Sequence, residues 1–137
     1  MNRSLVFLLP VLLAGCKTYT ISPESLKQQL MRAQPTTVHT TGPFGEVHSY
    51  QANNIAMIAC TDKDGNAVEL RNGPSIEARI TLASGRRRLT YFDRIELRND
   101  TLITHPSRFV PTMEFRIPFS EVVRIQVQDG RKDFSYE

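Results

Sequence analysis

The chain has 137 residues, 17 Lys and Arg against 14 Asp and Glu, a formal net charge of +3 and a mean hydropathy of −0.30. That near balance lacks the strongly basic footprint of a nucleic-acid binder, so nucleic acid is excluded as a partner. The length suits one compact domain with its own core.

The first sixteen residues stand apart. Arg3 supplies a positive head, residues 5–13 (Leu-Val-Phe-Leu-Leu-Pro-Val-Leu-Leu) a short apolar core, and Leu13-Ala14-Gly15-Cys16 the close. An apolar run this short, behind one basic residue and ending in small ones, is a secretory signal; a spanning helix needs about 20 apolar residues. The Leu-Ala-Gly-Cys close resembles the lipobox of bacterial lipoproteins. The resemblance implies that residues 1–15 are a signal peptide cut before Cys16. It also implies a diacylglyceryl thioether on Cys16 and a further acyl chain, such as palmitate, on the new amine. Each buried CH₂ contributes about 0.8 kcal/mol, so two or three chains make release negligible. Lys17 stands where a lipoprotein retained at the inner membrane often carries Asp. By that resemblance the anchor lies in the cell outer membrane, with the globular part facing the periplasm. Residues 16–21 are then a lipidated tether, and residues 22–137 a single β-rich domain with an N-terminal helix.

Ser22-Pro23-Glu24 reads as a helix start, with Ser as N-cap, Pro at the first helical position and Glu in the first turn. Leu26, Leu30 and Met31 give an apolar stripe, and Pro35 stops a helix of about ten residues. A helix so short needs a docking partner, here the end or edge of a sheet. Residues 36–45, rich in Thr, Gly and Pro, read as a linker or irregular loop.

From Glu46 onward the period changes to two. Ile76, Ala78, Ile80 and Leu82 alternate with Glu77, Arg79 and Thr81 before a Ser84-Gly85 turn. Residues 87–93 form a second run, with Leu89 and Tyr91 opposite Thr90 and Phe92. Ile95 and Leu97 lead to an Asn99-Asp100 hairpin signal, then Leu102 and Thr104 return. Met113, Phe115 and Ile117 precede a break at residues 118–121. Val123, Ile125 and Val127 share the next face, and Asp129-Gly130 turns into a last run over residues 132–136. The fold class is mainly β, an antiparallel meander with one apolar face that closes into a small barrel or sandwich. The Ile117-Pro118-Phe119-Ser120-Glu121-Val122-Val123-Arg124-Ile125 stretch resembles the last strands of Sm-like or SH3-like barrels, where a short break separates two terminal strands. That resemblance implies no function. The leader, the short mature length and the hairpin series together resemble small lipoproteins of Gram-negative envelopes.

Chemistry-bearing motifs are sparse. With Cys16 acylated, Cys60 is the one remaining thiol, so no disulfide forms within the chain. It ends the apolar run Ile55-Ala56-Met57-Ile58-Ala59 and is expected to be buried and inert. Asp62-Lys63-Asp64-Gly65-Asn66 has the start of a calcium-loop spacing, but Ala67 and Gly73 occupy the positions that need Gly and Glu. A hairpin turn with positive φ at Asp64-Gly65 is expected instead. His39, His48 and His105 lack metal-ligand spacing, and no nucleophile elbow or phosphate-binding glycine loop is present. No metal and no cofactor are therefore assigned. The arginines are expected to pair with glutamates across strands. Phe109, Phe115, Phe119, Phe134 and Tyr136 are expected to fill the core.

Arg86-Arg87-Arg88 is the sharpest charge cluster and follows a tight turn. The composition supports a non-catalytic, lipid-tethered module that binds another envelope protein or polymer, helped by its confinement to one membrane. The alternative is recognition of an anionic lipid headgroup or glycan by an arginine-rich sheet face carrying Arg86, Arg87 and Arg88. A hydrolase without a recognisable motif is a third reading.

Overall fold

The computed structural model describes residues 17–137. The leader and Cys16 lie outside the described residues. Helix α1 spans Pro23–Arg32, as the caps predict: the Ser22 hydroxyl accepts from the Ser25 N–H at 3.1 Å, and Ala33 closes the last turn. Leu26 and Leu30 are buried, whereas Met31 points to solvent. The Gln29 amide docks the helix by donating to Ala59 O (2.9 Å) and accepting from Ala59 N–H (3.0 Å). It thus serves as a substitute strand for the part of β4 (Met57–Thr61) that β1 (Thr18–Ile21) does not reach.

The largest sheet contains six antiparallel strands in the order β5-β4-β1-β11-β6-β7. Its other members are β5 (Ala67–Arg71), β6 (Ile76–Leu82), β7 (Arg87–Tyr91) and β11 (Val122–Asp129). Strands β8 (Glu96–Arg98), β9 (Thr101–Thr104) and β10 (Phe115–Pro118) form a second sheet. A third joins β2 (Thr36–Thr41) and β3 (Val47–Ala52) to the C-terminal β12 (Ser135–Tyr136). No sheet closes into a barrel among the described residues.

Two segments differ from expectation. Residues 18–21, expected as tether, lie inside the largest sheet, where Ile21 pairs with Ile125 and is 1 % exposed. The run Thr-Tyr-Thr-Ile is a strand of β-branched and aromatic residues whose brevity hid it. Residues 36–41, expected as a loop, form β2, since Thr36, Thr37, Val38, Thr40 and Thr41 are all β-branched. The expected meander is also interrupted, because β1 and β11 from opposite ends of the chain sit side by side. Alternation fixes which face a residue takes, not which strand lies beside it.

The core brings Ile21, Leu26, Ile58, Ile80, Phe92 and Ile125 together with Ile95, Leu102 and Ile117 from the second sheet and the turn before it. β6 follows the expected alternation throughout. β11 does not: a bulge between Val122 and Arg124 turns Val122 inward and leaves Val123 exposed, while Ile125 and Val127 stay in the core. The Asn99-Asp100 turn has positive φ at both residues (50° and 58°), as the hairpin signal requires.

Candidate functional site

A short 3₁₀ turn, Phe92–Arg94, follows β7 and places Asp93 in the interior. Asp93 Oδ1 accepts from Arg108 Nη2 at 2.9 Å; Oδ2 accepts from the Tyr50 hydroxyl at 2.5 Å and the Tyr136 hydroxyl at 2.7 Å. Arg108 Nη2 also donates to Pro74 O at 2.6 Å. Both side chains of the ion pair are only 1 % exposed. The Arg108 guanidinium carbon sits 4.1 Å from the centre of the Tyr91 ring and 4.7 Å from that of Tyr50. Its Nε and Nη1 are buried without a hydrogen-bond acceptor, and the rings beside the guanidinium offer it cation–π contacts. The Tyr50 hydroxyl continues the network to Thr40 at 2.8 Å.

This cluster joins β3, the turn after β7, the loop after β9 and β12. Burial, and then the charge of Asp93, push the Tyr50 and Tyr136 hydroxyls far above the ordinary tyrosine range, so both keep their protons. Asp93 has both oxygens engaged, which leaves it poorly placed as a general base. A recess of about 140 Å³ beside Asp93 and Tyr136 is lined by Thr36, Asn54 and Asn72. The arrangement clamps segments together and has no free nucleophile in it.

The expected arginine cluster lies elsewhere. Ser84-Gly85 turns the chain, with φ of +86° at Gly85, into edge strand β7. Strand alternation puts Arg86 and Arg88 on one side and Arg87 on the other. Arg86 and Arg88 line a cleft of about 330 Å³ with Ser84, Phe115, Arg116 and Glu121. The Arg88 guanidinium carbon lies 4.3 Å from the centre of the Phe115 ring. Among the described residues, Arg86, Arg87 and Arg88 form no ion pair. The structure therefore brings two of the three expected residues together and adds Arg116, which no sequence spacing joins to them.

Other expectations are met or revised residue by residue. Cys60 is a buried free thiol whose pKa is pushed up by burial, as expected for an inert cysteine. Residues 62–66 form the expected turn, though only Gly65 has positive φ (82°). The Asp62 carboxylate accepts from the Asp64 and Asn66 N–H groups, both at 2.9 Å, and the Asn66 bond foremost holds its pKa down. His39 lies on β2 rather than in a loop, 2.6 Å from the Ser49 hydroxyl. His105 is buried. The described residues contain no group of three His, Cys, Asp or Glu able to hold a metal. Among the described residues, Glu–Arg pairs run along single strands or their approaches (Glu96 with Arg98, Glu114 with Arg116) and not across strands. Of the C-terminal aromatics, Phe119 packs against the core, whereas Phe109 and Tyr136 are exposed, and Phe134 flanks Arg108 and meets Tyr91 edge to face.

Sequence reasoning missed the Asp93–Arg108 pair. Asp93 interrupts the apolar run Tyr91-Phe92-Asp93-Arg94-Ile95, which is the one available signal. Arg108 lies in an aperiodic loop and gives none. No family model, no curated protein and no solved structure matches this chain.

Proposed function

We propose that the chain is a lipid-anchored lipoprotein of the cell envelope, held in the outer membrane through Cys16 and facing the periplasm. Its domain is a non-catalytic module that binds another envelope protein or polymer. The observation that carries the reading is the Leu13-Ala14-Gly15-Cys16 close, followed two residues later by the first strand of a sheet. A leader that short cannot span a bilayer as a helix, and no described helix is long and apolar enough to cross one. Confinement to the membrane raises the domain's effective concentration against anything else held there. We read the six-stranded sheet and the β8–β10 sheet as two layers of a small sandwich, since Leu102 and Ile117 share the core with Ile80 and Ile125.

The test is metabolic labelling with palmitate in the producing bacterium. The wild type should incorporate label and fractionate with the outer membrane, and Cys16→Ser should stay an unlabelled precursor. Equal labelling of both would refute the anchor.

The second reading, binding of an anionic ligand, is favoured by the cleft that Arg86 and Arg88 line beside Glu121, neither arginine forming an ion pair among the described residues. Arg87 does not belong to that cleft, so the expected three-residue site contracts to two residues plus Arg116.

A further inference from the structure

We infer that the cleft at Arg86, Arg88 and Arg116 holds an acidic glycan, on the side of the domain turned away from its anchoring bilayer. This rests on the lipid attachment proposed at Cys16. Thr18 already pairs in the sheet, and two residues of chain reach no further than about 7 Å, so the Thr18 end of the sheet lies close to the lipid surface. Register sets what lies at each end. Thr18 is level with Gln128, and Gln128 with Glu77; Ile21 is level with Ile125, Ile80 and Arg88. Arg88 therefore sits about 10 Å further along the strands than Thr18, and the turn at Arg86 about 17 Å further.

Charge is distributed along the same axis. The Thr18 end carries the turn at residues 62–66 and the segment 129–133, which together hold four aspartates and three basic side chains. That end has no net attraction to an anionic surface. Arg86, Arg87 and Arg88, which form no ion pair among the described residues, lie at the opposite end. The domain presents this arginine cluster outward.

The cleft chemistry favours a sugar. Arg86 and Arg88 offer guanidinium donors for a carboxylate or phosphate, and Phe115 helps to fix Arg88 in place. Ser84 and the Glu121 carboxylate lie in the same lining and can meet hydroxyl groups. A volume of about 330 Å³ falls at the small end of the ligand-pocket range of roughly 300–1,000 Å³. Leu82, Phe115 and Ile117 add apolar surface to the same lining, the mixture of aromatic face and charged donors that the two faces of an acidic sugar ring require.

The test uses the full lipidated chain in phosphatidylcholine vesicles with two labelled probes, polygalacturonate and a phosphorylated mannan. At least one probe should bind, with affinity falling as salt rises. Arg86→Ser/Arg88→Ser should weaken it at least about tenfold, the effect of losing a charge-assisted hydrogen bond. Lys63→Ser/Arg131→Ser, at the membrane end, should stay within about twofold, since exposed charges there make no contact. Thermal melting should match the wild type in both variants. Failure of both probes, or equal loss in the two variants, would overturn the inference. So would loss of binding when phosphatidylglycerol is placed in the same vesicle, since the cleft would then face its own bilayer. An intact mass without lipid would refute the anchor instead, and the same chain in solution would still report on the cleft.

Discussion

Asp93 and Arg108, fifteen residues apart, meet at 2.9 Å in the interior, and neither side chain is more than 1 % exposed. Two tyrosine hydroxyls and a backbone carbonyl add hydrogen bonds to the pair, while Arg108 Nε and Nη1 have no acceptor. Such a pair stabilises weakly when intact and is costly when broken, because one charge is left buried alone. Asp93→Asn or Arg108→Met should each lower unfolding free energy by about 3–5 kcal/mol in urea titrations. The double variant should lose less than the sum of the two; additive losses would mean that the charges are not coupled.

Alkaline pH should strike the same cluster. Tyr50 has its proton held on by burial and by Asp93, well above the ordinary value of 10.0. The folded state therefore keeps a proton that the unfolded chain releases. The stabilisation is complete below pH 10 and declines above it, by about 1.4 kcal/mol per pH unit. Denaturant midpoints across the alkaline range should fall in the wild type and fall less steeply in Tyr50→Phe.

His105 gives the opposite limb. Burial, with Arg94 second, lowers its pKa below the ordinary 6.5. Below pH 6.5 the unfolded chain takes up a proton that the folded state resists. Stability contributed above that pH is thus lost as the pH falls through the folded value. His105→Gln should flatten the acid side of the stability profile, and an unchanged acid slope would assign that loss to other groups.

The bulge in β11 separates two adjacent valines. Val122→Ser should cost about 2 kcal/mol or more, since a buried valine is replaced by a hydroxyl. Val123→Ser should stay within about 0.5 kcal/mol, as its side chain faces solvent. Matched losses in calorimetry would place the bulge elsewhere.

Much of the fold was legible in local chemistry. The Ser22 cap, the alternation of β6 and the Asn99-Asp100 turn each follow from residues adjacent in sequence. What escaped needs distant partners. β1 is four residues long and gains its identity from β11, more than a hundred residues later. The Asp93 clamp depends on a 3₁₀ turn, an aperiodic loop and the last strand converging, and no periodicity records that. The arginine run was visible, but its division between two faces required the pairing of β7.

Intact mass measurement of the protein purified from its own envelope bears most directly on the proposed anchor. The expected species begins at Cys16 and carries a diacylglyceryl group with an additional acyl chain. A species that retains Met1, or one with a free thiol at Cys16, would contradict the anchor and the outward-facing cleft that depends on it.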